Sequence, residues 1–201
     1  MNWSLERAAL LIVDMQHAFC SPGGTVSKMG RDVAANGRAA DIAAELLKAW
    51  RNAEKPVVHV RHAHRPGYAD GGLLVDEITP GIREMQGLID GTWDAEIVPG
   101  LSPLPGEQVV TKRRYSGFFQ TDLEMLLRQQ QVDTVAIAGV STNVCVESTA
   151  RDAVFRDFRL IVVSDATAAT DPELHEGALR AIRYAFGSTP TSAELIARLR
   201  L

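Results

Sequence analysis

The sequence predicts an open α/β fold, a three-layer α/β/α sandwich in which a mostly parallel sheet lies between two layers of helices. Short runs rich in Val and Ile alternate with segments of helical periodicity along the 201 residues. Several runs are apolar at consecutive positions, as strands covered on both faces require. Strands that alternate with helices join through right-handed crossovers, which leaves a parallel sheet as the expected core. A chain of this length buries roughly 70% of its unfolded surface, enough for one domain over 1–201 without a disulfide or metal staple.

The first strand is AALLIVD (8–14). Residues 33–53 follow with Ala39, Ile42, Leu46, Leu47 and Trp50 at helical spacing, ending before Pro56. PVVHVR (56–61) is the second strand, and QVVTK (108–112) the third. Between them, 62–107 is dense in Gly and Pro without clear periodicity, and so long a stretch reads as a functional loop or lid. Thr121 and Glu124 form a T-x-x-E capping box that opens a helix running to Gln130. TVAIAG (134–139) and RLIVVSD (159–165) complete the strands, with a helix beginning near Cys145 between them. Asp171-Pro172-Glu173 places an N-cap before a proline at the first helical position, and Thr191 with Glu194 repeats the capping box.

Composition narrows the function. Net charge is −4 and no basic block stands out, so no nucleic-acid footprint is expected. The longest apolar run, Ala8 to Val13, is far short of the ~20 residues that span a bilayer. Glu6 and Arg7 near the start, with no cleavage site after an apolar stretch, give no secretory signal, and a soluble cytoplasmic protein is expected. No Gly-rich phosphate loop follows the first strand, so no nucleotide cofactor is expected. The two cysteines, Cys20 and Cys145, are too few for a disulfide framework.

Ligands of open α/β sheets bind outside the carboxyl ends of the strands. Asp14 ends the first strand, Lys112 the third, and Cys145 lies just past the fourth, so the fold brings them to one edge. A helix N-terminus and a lysine ammonium both lower a cysteine pKa, and Asp14 is a general-base candidate for the thiol proton. Backbone N–H groups of Gly139, Val140, Ser141 and Cys145 are candidates to face a developing oxyanion. Each residue also has a plain reading: a turn-forming Asp, a solvated rim Lys, a small buried Cys. Cys20, in FCSPGG, reads as structural or as a passive pocket wall.

Three motifs together decide between those readings. ALLIVDMQHAFC, VTKRRYSGFFQTDLEMLLR and AGVSTNVCVESTARDA resemble, in order and spacing, the isochorismatase-like cysteine hydrolases. That superfamily includes nicotinamidases, N-carbamoylsarcosine amidases, biuret hydrolases and ureidoacrylate amidohydrolases. The resemblance implies a triad of Asp14, Lys112 and Cys145. It also implies a non-proline cis peptide between Val140 and Ser141 that aims N–H groups at the oxyanion. YSGFFQTDLE, TNVCVESTARD and GTWDAEIVPGLSPLPGE look most like the ureidoacrylate branch, which implies cleavage of a C–N bond in a small ureido, carbamoyl or amide substrate through a thioester.

Nicotinamidase relatives carry an Asp-x-His pair and a further His as metal ligands after the second strand. Here that stretch reads HVRHAHRPGY, and Arg61 stands about where a carboxylate is wanted. A cation beside a divalent metal is unfavourable, so no metal is expected. His59 reads as a buried strand residue, and His62 and His64 as lining the loop mouth or meeting water, with His62 a substrate-contact candidate. Phe19, Trp93, Tyr115 and Phe118 flank the motifs as candidate pocket walls. Arg113 and Arg114 are candidates to hold a substrate carboxylate, at least one being solvated surface instead. An isochorismatase-type enzyme, which cleaves a vinyl ether without a thiol, is disfavoured by Cys145 itself. A silent binding module is disfavoured by the complete set of three residues. The resemblance further implies a homo-oligomer, dimer or tetramer.

Overall fold

The residues of β1 (Ala8–Val13) are all buried, as befits a central strand covered on both faces. A computed structural model of the chain, which describes residues 4–199, places it there. β2 (Val57–His62), β3 (Gln108–Lys112), β4 (Thr134–Val140) and β5 (Arg159–Ala168) complete a five-stranded sheet. Its order is β3-β2-β1-β4-β5, parallel throughout. Every strand read from the sequence is present, and β5 runs on to Ala168 rather than ending at Asp165.

The helices are α1 (His17–Cys20), α2 (Thr25–Lys28), α3 (Ala34–Asn52), α4 (Gly81–Glu84), α5 (Leu123–Gln129), α6 (Glu147–Val154), α7 (Pro172–Ala185) and α8 (Ser192–Leu199). Alternation along β1 serves two cores. Leu10 and Ile12 pack with Leu46, Leu47 and Trp50 of α3 and Leu195 of α8. Leu11 and Val13 pack on the other face with Leu123 and Leu127 of α5, Ala150 of α6, and Leu179 and Ile182 of α7. Each fully buried Leu or Ile is worth roughly 1.5–3 kcal/mol, so these two apolar layers hold the sheet. The buried Trp50 satisfies its indole by donating to the Pro56 carbonyl at 3.0 Å.

Two predicted caps form and one does not. The Asp171 carboxylate accepts from the N–H groups of Glu173 (2.8 Å) and Leu174 (3.4 Å) at the start of α7. At α8, Thr191 N–H donates to Glu194 (2.8 Å) and Glu194 N–H to the Thr191 hydroxyl (3.3 Å). The expected Thr121–Glu124 box does not close: the Thr121 hydroxyl accepts from Leu123 N–H (3.3 Å) at the start of α5, but Glu124 turns to a tertiary partner. Thr121 Oγ1 donates to the Gly117 carbonyl at 2.5 Å, and Glu124 pairs with Arg156 at 3.1 Å.

The aperiodic stretch 62–107 is a folded cap built from short turns and α4. Tyr68, Val75, Ile82 and Leu88 form a small core of their own against Ala18. Asp94 pins it to α2, accepting from Thr25 N–H (2.8 Å), Thr25 Oγ1 (2.7 Å) and Leu88 N–H (2.7 Å). At the far end, Glu107 joins α3 to β2 through Arg51 (2.7 Å) and His59 (2.9 Å). Burial alone would raise the Glu107 carboxyl, but Arg51, the Leu104 N–H and His59 more than offset it and hold it at about 2. A carboxyl depressed on folding stabilises above its unfolded pKa and loses that contribution as pH falls toward its folded value. Glu107→Gln is therefore expected to lower unfolding free energy by roughly 2 kcal/mol at pH 7. Urea titrations should show the gap to the native chain closing between pH 4.5 and about 2.

Candidate active site

The chain leaves β1 toward β2 on one side of the sheet and returns through β4 toward β5 on the other. The strand order therefore reverses between β1 and β4, and the crevice at their carboxyl ends is where such sheets bind ligands. Asp14 stands there in a left-handed backbone conformation (φ 53°), which Asp tolerates better than most side chains. Its N–H donates to Val60 (2.8 Å) and its carbonyl accepts from Gln16 (2.8 Å), which fixes the turn. Lys112 ends β3 beside His62 of β2 and extends past that strand toward β1. Beyond β4, the Val140–Ser141 peptide is cis and leads into a wide turn, Thr142–Val146, that carries Cys145. β4 can approach β1 closely because residue 139 is glycine: a Cβ there would run into the Val13 carbonyl.

These elements bring Asp14, Lys112 and Cys145 together. Lys112 Nζ lies 2.7 Å from Asp14 Oδ2 and 3.4 Å from Cys145 Sγ, and it donates to the Arg114 carbonyl at 3.2 Å. Asp14 and Lys112 are fully buried. Neither Asp14 oxygen receives a well-aligned hydrogen bond, so the ammonium charge is what compensates the carboxylate. Burial raises the Asp14 carboxyl against the pull of Lys112. Burial lowers Lys112, but Asp14 and Cys145 outweigh it and keep the ammonium charged. The sequence led us to expect a thiol held low by a helix end and a lysine. Burial and the Asp14 charge instead push Cys145 up, against Lys112, so it rests as a thiol beside a proton acceptor.

Cys145 opens onto a cavity of about 310 Å³. Phe19, Tyr115, His62 and Ser141 line it, with Leu74, Ile78, Thr79 and Ile82 contributed by the 62–107 cap. Two predicted wall residues lie elsewhere. Trp93 stacks on His17 at 4.3 Å and is half exposed. Phe118 turns into the core against Phe158, because Ser116 bonds Asp152 (2.5 Å) and the Gly117 N–H bonds Thr149 (2.9 Å). The backbone of Val140 belongs to the cis turn, while its side chain packs in the α3 core. Cys20 packs in that core too, its thiol 3.8 Å from Met15 Sδ, and burial and the Asp14 charge push it up to about 12.

His59 is buried in its strand, as read from the sequence. His62 lines the cavity, and His64 is buried rather than meeting water. Their Nε2 atoms lie 3.1 Å apart, and His64 Nδ1 is 3.3 Å from Asp70. A carboxylate is thus present, but Arg113 already holds it at 2.6 Å. Among the described residues, no group of three or more His, Cys, Asp or Glu is arranged to hold a metal ion. Arg113 and Arg114 brace the Asp70 turn instead of facing the cavity, Arg114 donating to the Asp70 carbonyl at 2.9 Å. The charged side chain on the cavity wall is Arg31, which follows α2 and which local sequence did not single out. Thr149 was missed as well; its hydroxyl holds the Cys145 carbonyl at 2.7 Å. Its spacing, one helical turn past Cys145, was the available signal.

A buried carboxylate, ammonium and thiol thus meet at the carboxyl edge of a parallel α/β sheet, beside its switch point. The chain belongs to the isochorismatase family, whose domain model matches residues 8–194. It is 38% identical over 195 residues to the ureidoacrylate amidohydrolase RutB of Methylorubrum extorquens, covering 90% of this chain and 78% of that one. A cysteine hydrolase from Pseudomonas syringae pv. phaseolicola superposes with a TM-score of 0.89 at 34% identity, over 99% of this chain and 96% of that one. The N-carbamoylsarcosine amidase of Thermoplasma acidophilum superposes with a TM-score of 0.73 at 30% identity, over 92% of this chain and 96% of that one.

Removing one partner of a buried ion pair leaves the other uncompensated. Lys112→Met is expected to lower unfolding free energy by about 3 kcal/mol, read by urea denaturation at pH 7. Adding Asp14→Asn to that variant should recover more than half of the loss.

Proposed function

We propose that the chain is an amidohydrolase that cleaves a C–N bond of a small ureido or carbamoyl substrate, with Cys145 as nucleophile. The observation that carries the reading is Lys112 Nζ set between Asp14 (2.7 Å) and Cys145 (3.4 Å) at the edge of the cavity. Asp14 takes the thiol proton as Sγ attacks the carbonyl carbon. The new C–S bond pushes the carbonyl electrons onto oxygen, toward the backbone of the 139–145 turn. As the intermediate collapses, the C–N bond breaks and the leaving amine or ammonia takes the proton from Asp14. Water then attacks the thioester with Asp14 again accepting a proton, which returns to Sγ as the product acid leaves. Throughout, negative charge passes between Asp14 and the sulfur or oxygen while Lys112 stays charged. The buried site therefore never changes its net charge, which is what keeps the transfer affordable in a low-dielectric interior.

The relatives' activities support a ureido or carbamoyl carbonyl, shared by ureidoacrylate and N-carbamoylsarcosine. Arg31 on the cavity wall suits a substrate that carries a carboxylate. Among the described residues no helix is long and apolar enough to cross a membrane. The proposal includes a cytoplasmic homo-oligomer, dimer or tetramer; a monomer in sedimentation equilibrium would remove that part.

Ammonia release from ureidoacrylate, biuret, N-carbamoylsarcosine and nicotinamide tests the reaction. Cys145→Ala is expected to lose at least about a thousandfold in kcat on the ureido substrate, and Cys20→Ala to stay near the native rate. Near-native turnover by Cys145→Ala, or release from nicotinamide alone, would overturn the reading. Arg31→Gln should raise KM for ureidoacrylate about tenfold and leave neutral biuret unchanged. Because Asp14 must be ionised to accept the proton and its carboxyl is raised, kcat/KM should begin to fall at a pH above the ordinary carboxylate value of 3.8. A pH profile measured on the native enzyme checks this.

A further inference from the structure

His62 ends β2 and lines the cavity with Cys145, and its Nε2 lies 3.1 Å from Nε2 of His64. Two ring nitrogens at that distance share one proton, and the structure decides which ring owns it. His64 Nδ1 faces Asp70 Oδ1 at 3.3 Å, and an ionised carboxylate can only accept, so Nδ1 of His64 carries hydrogen. Asp70 stays ionised: burial raises its carboxyl, but the Arg65 N–H, Arg113 and His64 outweigh that. Both rings are neutral, since burial lowers each, and His62 lies well below its ordinary value with Lys112, His64, Arg113 and Arg114 adding to the effect. A neutral His64 protonated at Nδ1 presents a lone pair at Nε2. The shared proton therefore sits on Nε2 of His62, and Nδ1 of His62 is left bare. Among the described residues no donor is paired with that Nδ1, and it is not a sealed buried atom.

We infer that Asp70, acting through His64, sets His62 as a hydrogen-bond acceptor toward the cavity, so that the site selects substrates presenting an N–H donor there. The inference deepens the proposed amidohydrolase and rests on it for where the substrate sits. A ureido or amide group carries such a hydrogen, whereas an ether or ester oxygen at the same place would set lone pair against lone pair. His62 is the specificity-determining contact. His64 and Asp70 are positioning residues that act through it.

Two-dimensional ¹⁵N–¹H multiple-bond spectra of the labelled protein read ring tautomers directly. The native protein is expected to show His62 protonated at Nε2 and His64 at Nδ1. On Cys145→Ala protein saturated with ureidoacrylate, the bare His62 Nδ1 resonance should shift as it accepts the ligand hydrogen. Asp70→Ala frees His64 to take its proton at Nε2, so both tautomers should swap and KM should rise about tenfold, with kcat within twofold. Asp70→Asn, which retains a side-chain acceptor, should restore both readouts. A His62 proton on Nδ1 in the native protein, or an Nδ1 resonance unmoved by bound ureidoacrylate, would overturn the inference. The spectra of the free protein need no turnover. An inactive substrate panel with the stated tautomers would therefore count against the proposed reaction and leave the tautomer assignment intact.

Discussion

The buried ion pair between Lys112 and Asp14, closed at 2.7 Å, is the constraint on which the rest of the structure depends. Removing two such charges from water costs several kcal/mol each, and only a near-ideal contact offsets it. That contact spans the sheet, because Lys112 belongs to edge strand β3 and Asp14 to central β1, with β2 between them. It requires β3 in register with β2, an Asp in a left-handed turn, and a cover that keeps solvent out. Cys145 then has no independent electrostatic identity. Its thiol is set by how closely the pair compensates, with Asp14 pushing it up and Lys112 pulling it down.

The 62–107 cap supplies the cover, and its attachment explains why it is ordered. Gln16, just past β1, bonds the backbone of His62 in both directions (2.7 and 2.8 Å) and the Ala95 carbonyl at 2.8 Å. One buried amide therefore ties the end of β2 to the cap and the first strand. Asp94 repeats the device against Thr25 of α2. Since the cap provides much of the apolar wall, cavity shape follows from these polar clamps rather than from the sheet.

Legibility in the sequence tracked locality. Asp14, Lys112 and Cys145 were readable at one edge because a parallel sheet sends all its carboxyl ends there, and the three motifs then favoured a triad over the plain reading of each residue. Asp171 and Thr191 were readable as caps because their partners lie within a turn. The Thr121–Glu124 box stayed open because Arg156, which takes Glu124, comes from outside the capping pattern. Arg113 and Arg114 misled because nearness to Lys112 in sequence says nothing about direction. Asp70, more than forty residues earlier, claims both. Phe118 and Trp93 misled similarly, their partners being Phe158 and His17.

The sequence by itself determined the order of strands and helices, the two apolar cores, the family, and which residues end strands at the ligand-binding edge. Each of these follows from periodicity or motif within a short window of chain. Only the tertiary structure decided protonation and polarity: that Cys145 rests as a thiol, that Arg31 is the charge on the cavity wall, and that Asp70 governs a buried histidine pair. Those properties depend on burial and on which groups the fold turns toward one another, and no periodicity or motif encodes either.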